Sequence, residues 1–148
     1  MLYFEDFEVG SELDCGTRRV SKEEIVAFAR EFDPQPFHID EAAAAKSHFG
    51  GIVASGWHSA SICMRMVVDA VLHDSASMGS PGLDKLRWVK PLHAGRTVRA
   101  IVRVLEKKPS ETRPDRGRVK VTFELFEDGG ELLMDFTATV LMGRRPAP

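Results

Sequence analysis

The stretch from about Gly56 to His73, GWHSASICMRMVVDAVLH, constrains the chain more than any other. Ala60, Ile62, Cys63, Met66, Val67, Ala70 and Val71 put small or apolar side chains on nearly every side of a helix, which describes a helix surrounded by protein. It falls short of the roughly 18 apolar residues of a membrane span, so the wrapping has to come from protein. From about Leu83 the apolar period changes to two. In RVKVTFELFE (Arg118–Glu127), Val119, Val121, Phe123 and Leu125 alternate with Lys120, Thr122 and Glu124. TVRAIVRVLE (Thr97–Glu106) and ELLMDFTATVLM (Glu131–Met142) read the same way, and Asp128, Gly129 and Gly130 mark a hairpin turn. An earlier strand is expected over Leu83–Val89, with Pro91 and Gly95 in the connection that follows. Helices first and antiparallel strands afterwards indicate an α+β class: one long central helix wrapped by a curved antiparallel β-sheet, in a single domain spanning residues 1–148.

Ahead of the central helix, Ser21 followed by Glu24 is a capping box, and Ile25, Phe28, Ala29 and Phe32 form one apolar stripe of a first helix. Pro34 and Pro36 disfavour the helical basin for Asp33 and Gln35, so the chain is expected to leave the helix near Phe32 and run extended to about His38. Asp40 then caps a short alanine-rich helix through Lys46, and Gly50 and Gly51 break the pattern before the central helix. KKPSETRPDRGR (Lys107–Arg118) is polar, contains prolines and reads as a mobile surface loop.

A net charge of −2, from 20 basic and 22 acidic residues, supplies no overall field that would draw the molecule onto nucleic acid or an anionic membrane. The acids in MLYFEDFEVG stand where a secretory signal would need a basic region, and a cytoplasmic protein is expected. Cys15 and Cys63 fit neither a disulfide framework nor a zinc site and are expected to be reduced and structural. His38, His48 and His58 recur every ten residues, a spacing that suits no usual metal site, so no metal is expected.

Chemistry concentrates in DPQPFH, Asp33 to His38. A lone Asp at a helix end is commonly a cap, and a lone His beside a Phe is commonly a core histidine. Two prolines between them change the weighing, because they narrow the backbone's choices and hold both side chains in one place at little extra entropic cost. A carboxylate and an imidazole aimed at one water can remove and deliver protons, the two halves of adding water across an activated double bond. The glycine-containing entry to the central helix offers unpaired N–H groups and a positive dipole end to an oxygen that becomes negative during reaction.

On these residues the chain resembles the MaoC-like, or (R)-specific enoyl-CoA hydratase, family of the hotdog fold. Asp33, Pro36 and His38 fall on the family's motif, while Gln35 stands where Asn is usual; FGGIVASGWH resembles the entry to the family's central helix, and WVKPLHAGRTV (Trp88–Val98) its strand-turn-strand. Arg96 occupies a turn position where relatives commonly carry an acid. The resemblance implies reversible hydration of a trans-2-enoyl-CoA to an (R)-3-hydroxyacyl-CoA. It casts Asp33 and His38 as the catalytic pair, the Gly56 N–H as part of an oxyanion hole, and Ser55 and Trp57 as substrate-binding neighbours. Coenzyme A would be part of the acyl-CoA substrate, with no further cofactor, and the protein a homodimer or higher homo-oligomer with sites near the subunit interface. Two rivals on the same fold are an acyl-CoA thioesterase and a non-catalytic acyl-CoA binding module. Phe49, Met64 and Trp88 are expected to set pocket depth, and Lys90, Arg113, Arg116 and Arg118 read as solvated surface charges.

Overall fold

The computed structural model describes residues 1–148. Five strands, β1 (Glu12–Arg19), β2 (Leu83–Trp88), β3 (Thr97–Pro109), β4 (Arg116–Glu127) and β5 (Leu132–Gly143), form one sheet in the order β1-β3-β4-β5-β2, every neighbouring pair antiparallel. Four helices, α1 (Lys22–Phe32), α2 (Pro36–Ile39), α3 (Glu41–Lys46) and α4 (Gly56–Ala70), lie between β1 and β2 in the chain, and α4 packs on β1, β3 and β4. This is the hotdog architecture, a central helix held by a curved antiparallel sheet.

The strand period explains which face holds the helix. Val98, Ala100, Val102 and Val104 of β3, Val119, Val121, Phe123 and Leu125 of β4, and Phe136, Ala138 and Val140 of β5 are buried, and they share one core with Ile62, Cys63, Met66 and Val67 of α4. Each large apolar side chain buried this way contributes about 1.5–3 kcal/mol. The opposite face is tied by cross-strand ion pairs: Arg99 with Asp14 and Asp128, Arg103 with Glu12 and Glu124, Arg87 with Asp135. Such polar residues alternate with apolar ones because one face is dry and the other wet.

Four features differ from the sequence expectation. The central helix is not surrounded by its own chain: it buries His58, Ser59, Ile62, Cys63, Met66 and Val67, and leaves Trp57, Ser61, Met64, Arg65 and Asp69 exposed, the last pair bridged as i and i+4. It also ends at Ala70, before a 3-10 turn over Leu72–Asp74. Strand β1 had no expectation attached to it, because its alternation is broken by a bulge at Cys15 and Gly16, where the register shifts between Asp14 and Thr17 and Gly16 adopts φ +81°. The expected loop over Lys107–Arg118 shrinks to residues 110–115, since both strands continue through polar residues whose backbones still pair and Lys107 Nζ donates to the carbonyls of Phe4 and Glu5. Finally, Asp33 to His38 is not wholly extended. Gln35 is extended, but Pro36 opens the single helical turn of α2, a first-turn position where proline's fixed φ suits the helix and its missing N–H is not required.

The capping box of α1 stands as expected, Ser21 and Glu24 accepting from each other's N–H groups, and Asp40 Oδ1 accepts from Ala42 and Ala43 to cap α3. Glu24 does a second job. Its Oε1 receives Arg18 Nη2 at 2.7 Å and lies 4.0 Å from His58 Nε2, while the buried His58 ring stacks on Phe28 with centroids 4.6 Å apart. Thus α1 and the first turn of α4 meet through a buried imidazole whose Nδ1 has no partner. Burial lowers the His58 pKa, with Glu24 opposing and Arg18 assisting. The folded state therefore resists a proton that the unfolded chain accepts below about pH 6.5, and stability is lost as pH falls through that unfolded value. The loss of unfolding free energy between about pH 7.5 and about pH 5.5, measured by urea denaturation, is expected to be smaller in His58→Gln than in the wild type.

Candidate active site

Asp33 ends α1 as its C-cap, its N–H donating to Ala29 O at 2.8 Å, with φ −154° and ψ 69°. The next turn returns His38 to it, so that His38 Nε2 lies 3.3 Å from Asp33 Oδ2. The other ring nitrogen is held by the backbone: His38 Nδ1 is 2.6 Å from Val53 O. A carbonyl can only accept, so Nδ1 carries the hydrogen and the neutral ring keeps its lone pair on Nε2, facing the carboxylate. Phe37 packs edge-on to the His38 ring, and the ring is almost wholly buried.

Val53 belongs to the segment entering α4, and that segment is gripped on two sides. Val53 N–H donates to Phe37 O, Ala54 N–H to Leu92 O, and Ala94 N–H to Ile52 O. The helix entry is thereby fixed against both α2 and the connection after β2. The first hydrogen bond of the α4 ladder runs from Ser59 N–H to Ser55 O, and the Ser55 side chain does not cap the helix. The N–H groups of Gly56, Trp57 and His58 are left as a positive end without acceptors.

Three groups act on the Asp33 carboxylate beyond its partial burial. Burial pushes its pKa up, but the Gln35 amide, whose Nε2 donates to Oδ1 at 2.7 Å, the nearby Ser55 hydroxyl and the charge of the His38 ring whenever that ring is protonated outweigh it and hold the acid below its ordinary value. Ser55 Oγ is fully buried and makes no hydrogen bond of ordinary geometry, so its effect on Asp33 is that of a close dipole and not of a formed bond.

A cavity of about 420 Å³ opens beside the pair, lined by Asp33, Gln35 and His38 at its polar end and by residues including Phe37, Phe49, Trp57 and Trp88 on its apolar walls. Of the residues picked from sequence, Asp33, His38, Gly56 and Trp57 come together on this cavity; Ser55 sits behind its wall, turned toward Asp33. Phe49 and Trp88 line it, whereas Met64 points to the open face of α4. Among the cations, Lys90 lies on the cavity and is paired with Glu131, while Arg116 is paired with Asp115.

Sequence reasoning missed the tautomer-setting carbonyl of Val53, for which a side-chain pattern carries no signal. It also missed the packing of Trp88 on Gly56. The Trp88 indole donates from Nε1 to Gly56 O at 2.8 Å and meets Trp57 edge-on at 5.2 Å. A Cβ on Gly56 would fall within 2.7 Å of Trp88 Cδ2 and Nε1. Gly56 is the first residue of α4, where the gain in helix propensity on Gly56→Ala is smaller than in a helix interior, and the ring contact makes the change destabilising. The expected result is a lower Tm and an altered tryptophan emission for Gly56→Ala, with the destabilisation removed in a Trp88→Ala background; additive effects of the two changes would contradict the contact.

The family model described as the MaoC like domain matches residues 6–124. The crystal structure of a MaoC-like dehydratase from Rhodospirillum rubrum superposes with a TM-score of 0.91 at 42% identity, covering 99% of this chain and 100% of that one. A 3-hydroxybutyryl-CoA dehydratase from Methylorubrum extorquens is 29% identical over 150 residues, 98% of this chain and 87% of its own. The (R)-hydratase from A. caviae involved in PHA biosynthesis superposes with a TM-score of 0.71 at 27% identity, covering 96% of this chain and 99% of that one. With the family model matching residues 6–124 and a MaoC-like dehydratase 42% identical over nearly the whole chain, the chain belongs to the MaoC-like domain family.

Proposed function

We propose that the protein catalyses reversible hydration of a trans-2-enoyl-CoA to an (R)-3-hydroxyacyl-CoA. The observation that carries this reading is the 3.3 Å approach of His38 Nε2 to Asp33 Oδ2 on the cavity wall, with the Nδ1 hydrogen committed to Val53 O. Two acceptors side by side suit a water that donates one hydrogen to each and turns its lone pair to the substrate. As that oxygen bonds to C3, the C2–C3 double-bond electrons shift toward the thioester, whose oxygen becomes negative. The released proton passes to Asp33, with His38 orienting the water, and its transfer from Asp33 to C2 completes the addition, returning the carboxylate with no atom left over. The free N–H of Gly56 and the positive end of α4 are the groups suited to the enolate oxygen. The relatives bearing hydratase and dehydratase names support the same chemistry.

Loss of enoyl-thioester absorbance with short trans-2-enoyl-CoA substrates, with free thiol assayed in parallel, tests the proposal. Absorbance loss without thiol release is expected, falling by about a hundred- to ten-thousandfold in Asp33→Asn and in His38→Ala. Thiol release would replace the reading by a thioesterase, and full activity in either folded variant would remove that residue from the chemistry.

The same reading includes a homodimer. β2 is an edge strand, and its exposed Leu83 and Trp88, together with Val89 after it and Trp57 and Met64 on the open face of α4, present apolar surface that a second copy would cover. Light scattering at micromolar concentration is expected to give twice the 16.4 kDa chain mass, and a monomer alone would refute the dimer.

A further inference from the structure

Gln35 makes three bonds at the centre of the Asp33–His38 loop. Its N–H donates to Asp33 O at 2.8 Å, its carbonyl accepts His38 N–H at 3.0 Å, and its side-chain Nε2 donates to Asp33 Oδ1 at 2.7 Å. One residue thus touches both members of the pair through its backbone and one of them again through its side chain. The side-chain bond is selective, because it occupies Oδ1 and leaves Oδ2 as the oxygen that faces His38 Nε2.

We propose that Gln35 is a positioning residue that ties up Asp33 Oδ1 and so commits Oδ2 to the proton transfer shared with His38. The proposal rests on Asp33 and His38 being the reacting pair. A carboxylate rotates freely about its last torsion, whose wells are broad and roughly two-fold. Without an anchor either oxygen could turn toward His38, and the water between them would lose its fixed direction. The Gln35 amide removes that freedom with a charge-assisted bond, the stronger kind of hydrogen bond, and it favours the ionised acid that a base requires. Few other charges reach Asp33. His38 acts on it from α2, Ser55 contributes a neutral dipole from the α4 entry, and Lys90, across the cavity after β2, is paired with Glu131.

Gln35→Met keeps the side chain's length and every backbone bond while deleting the donor; Gln35→Glu keeps the shape and replaces the donor with a like charge. The first readout needs no substrate: 13C NMR titration of the Asp33 carboxyl in wild type and both variants. Asp33 is held below its ordinary value in the wild type, so the ionised form survives to lower pH, and removing the donor is expected to move its midpoint upward, further in Gln35→Glu than in Gln35→Met. The second readout is kinetic. In Gln35→Met, kcat is expected to fall by about ten- to a hundredfold with KM within about threefold, and the acid limb of kcat/KM to move to higher pH together with the NMR midpoint. An unmoved midpoint and acid limb, with only a lowered Tm, would overturn the proposal and make Gln35 a brace for the loop. A moved midpoint in a protein that turns over no enoyl thioester would uphold the hold on Asp33 and remove the proposed reaction instead.

Discussion

The burial of one face of α4 is the constraint on which the rest of the molecule depends. Ile62, Cys63, Met66 and Val67 cannot remain in water, and the inward rows of β3, β4 and β5 supply a curved apolar surface that matches them. Once the helix axis is set, its amino-terminal end is set as well, and that end lies beside the loop carrying Asp33 and His38. The core therefore determines where the unpaired N–H groups of Gly56, Trp57 and His58 point, although none of these residues is chosen for apolar packing alone.

Two short pieces of backbone convert this geometry into a site. The residues entering α4 are paired with the connection after β2 on one side and with α2 on the other. Val53 stands at the junction, donating its N–H to Phe37 O and accepting the His38 Nδ1 hydrogen on its carbonyl. The imidazole is consequently oriented by the same strand-like segment that positions the helix entry, so Asp33, His38 and the helix end are tied through one set of hydrogen bonds. Trp88 adds a third tie by donating to Gly56 O and occupying the space where any side chain at 56 would go. The cavity walls are aromatic and aliphatic, and its polar groups gather at one end, which matches the general form of sites that hold a small apolar group against a reacting centre.

Much of this was legible in the residues. The strands β3, β4 and β5 announced themselves by a period of two, plainest in β4, α1 by its capping box and stripe, and the pairing of Asp33 with His38 by the prolines that lie between them. Other parts were not legible, for different reasons. β1 hides because the bulge at Gly16 shifts its alternation partway along. The turn of α2 hides because Pro36 serves equally as a breaker of one helix and the first residue of another. The exposure of α4's outer face hides because composition reports how apolar a helix is and not how much of it its own chain can reach.

What the sequence determined by itself was therefore local and periodic: that α1, α3 and α4 are helices and β2 to β5 strands, which side of β4 is dry, and that an acid and a histidine sit on a stiffened loop. These follow from side-chain period, caps and proline geometry, all of which act over a few neighbouring residues. The tertiary structure alone decided which nitrogen of His38 carries its hydrogen, which oxygen of Asp33 faces it, why Gly56 has no side chain, and that Ser55 lies behind the cavity wall and not on it. Each of these depends on a contact between residues far apart in the chain, His38 with Val53, Gly56 with Trp88 and Asp33 with Ser55. Such contacts exist only after the helix has been laid into the sheet.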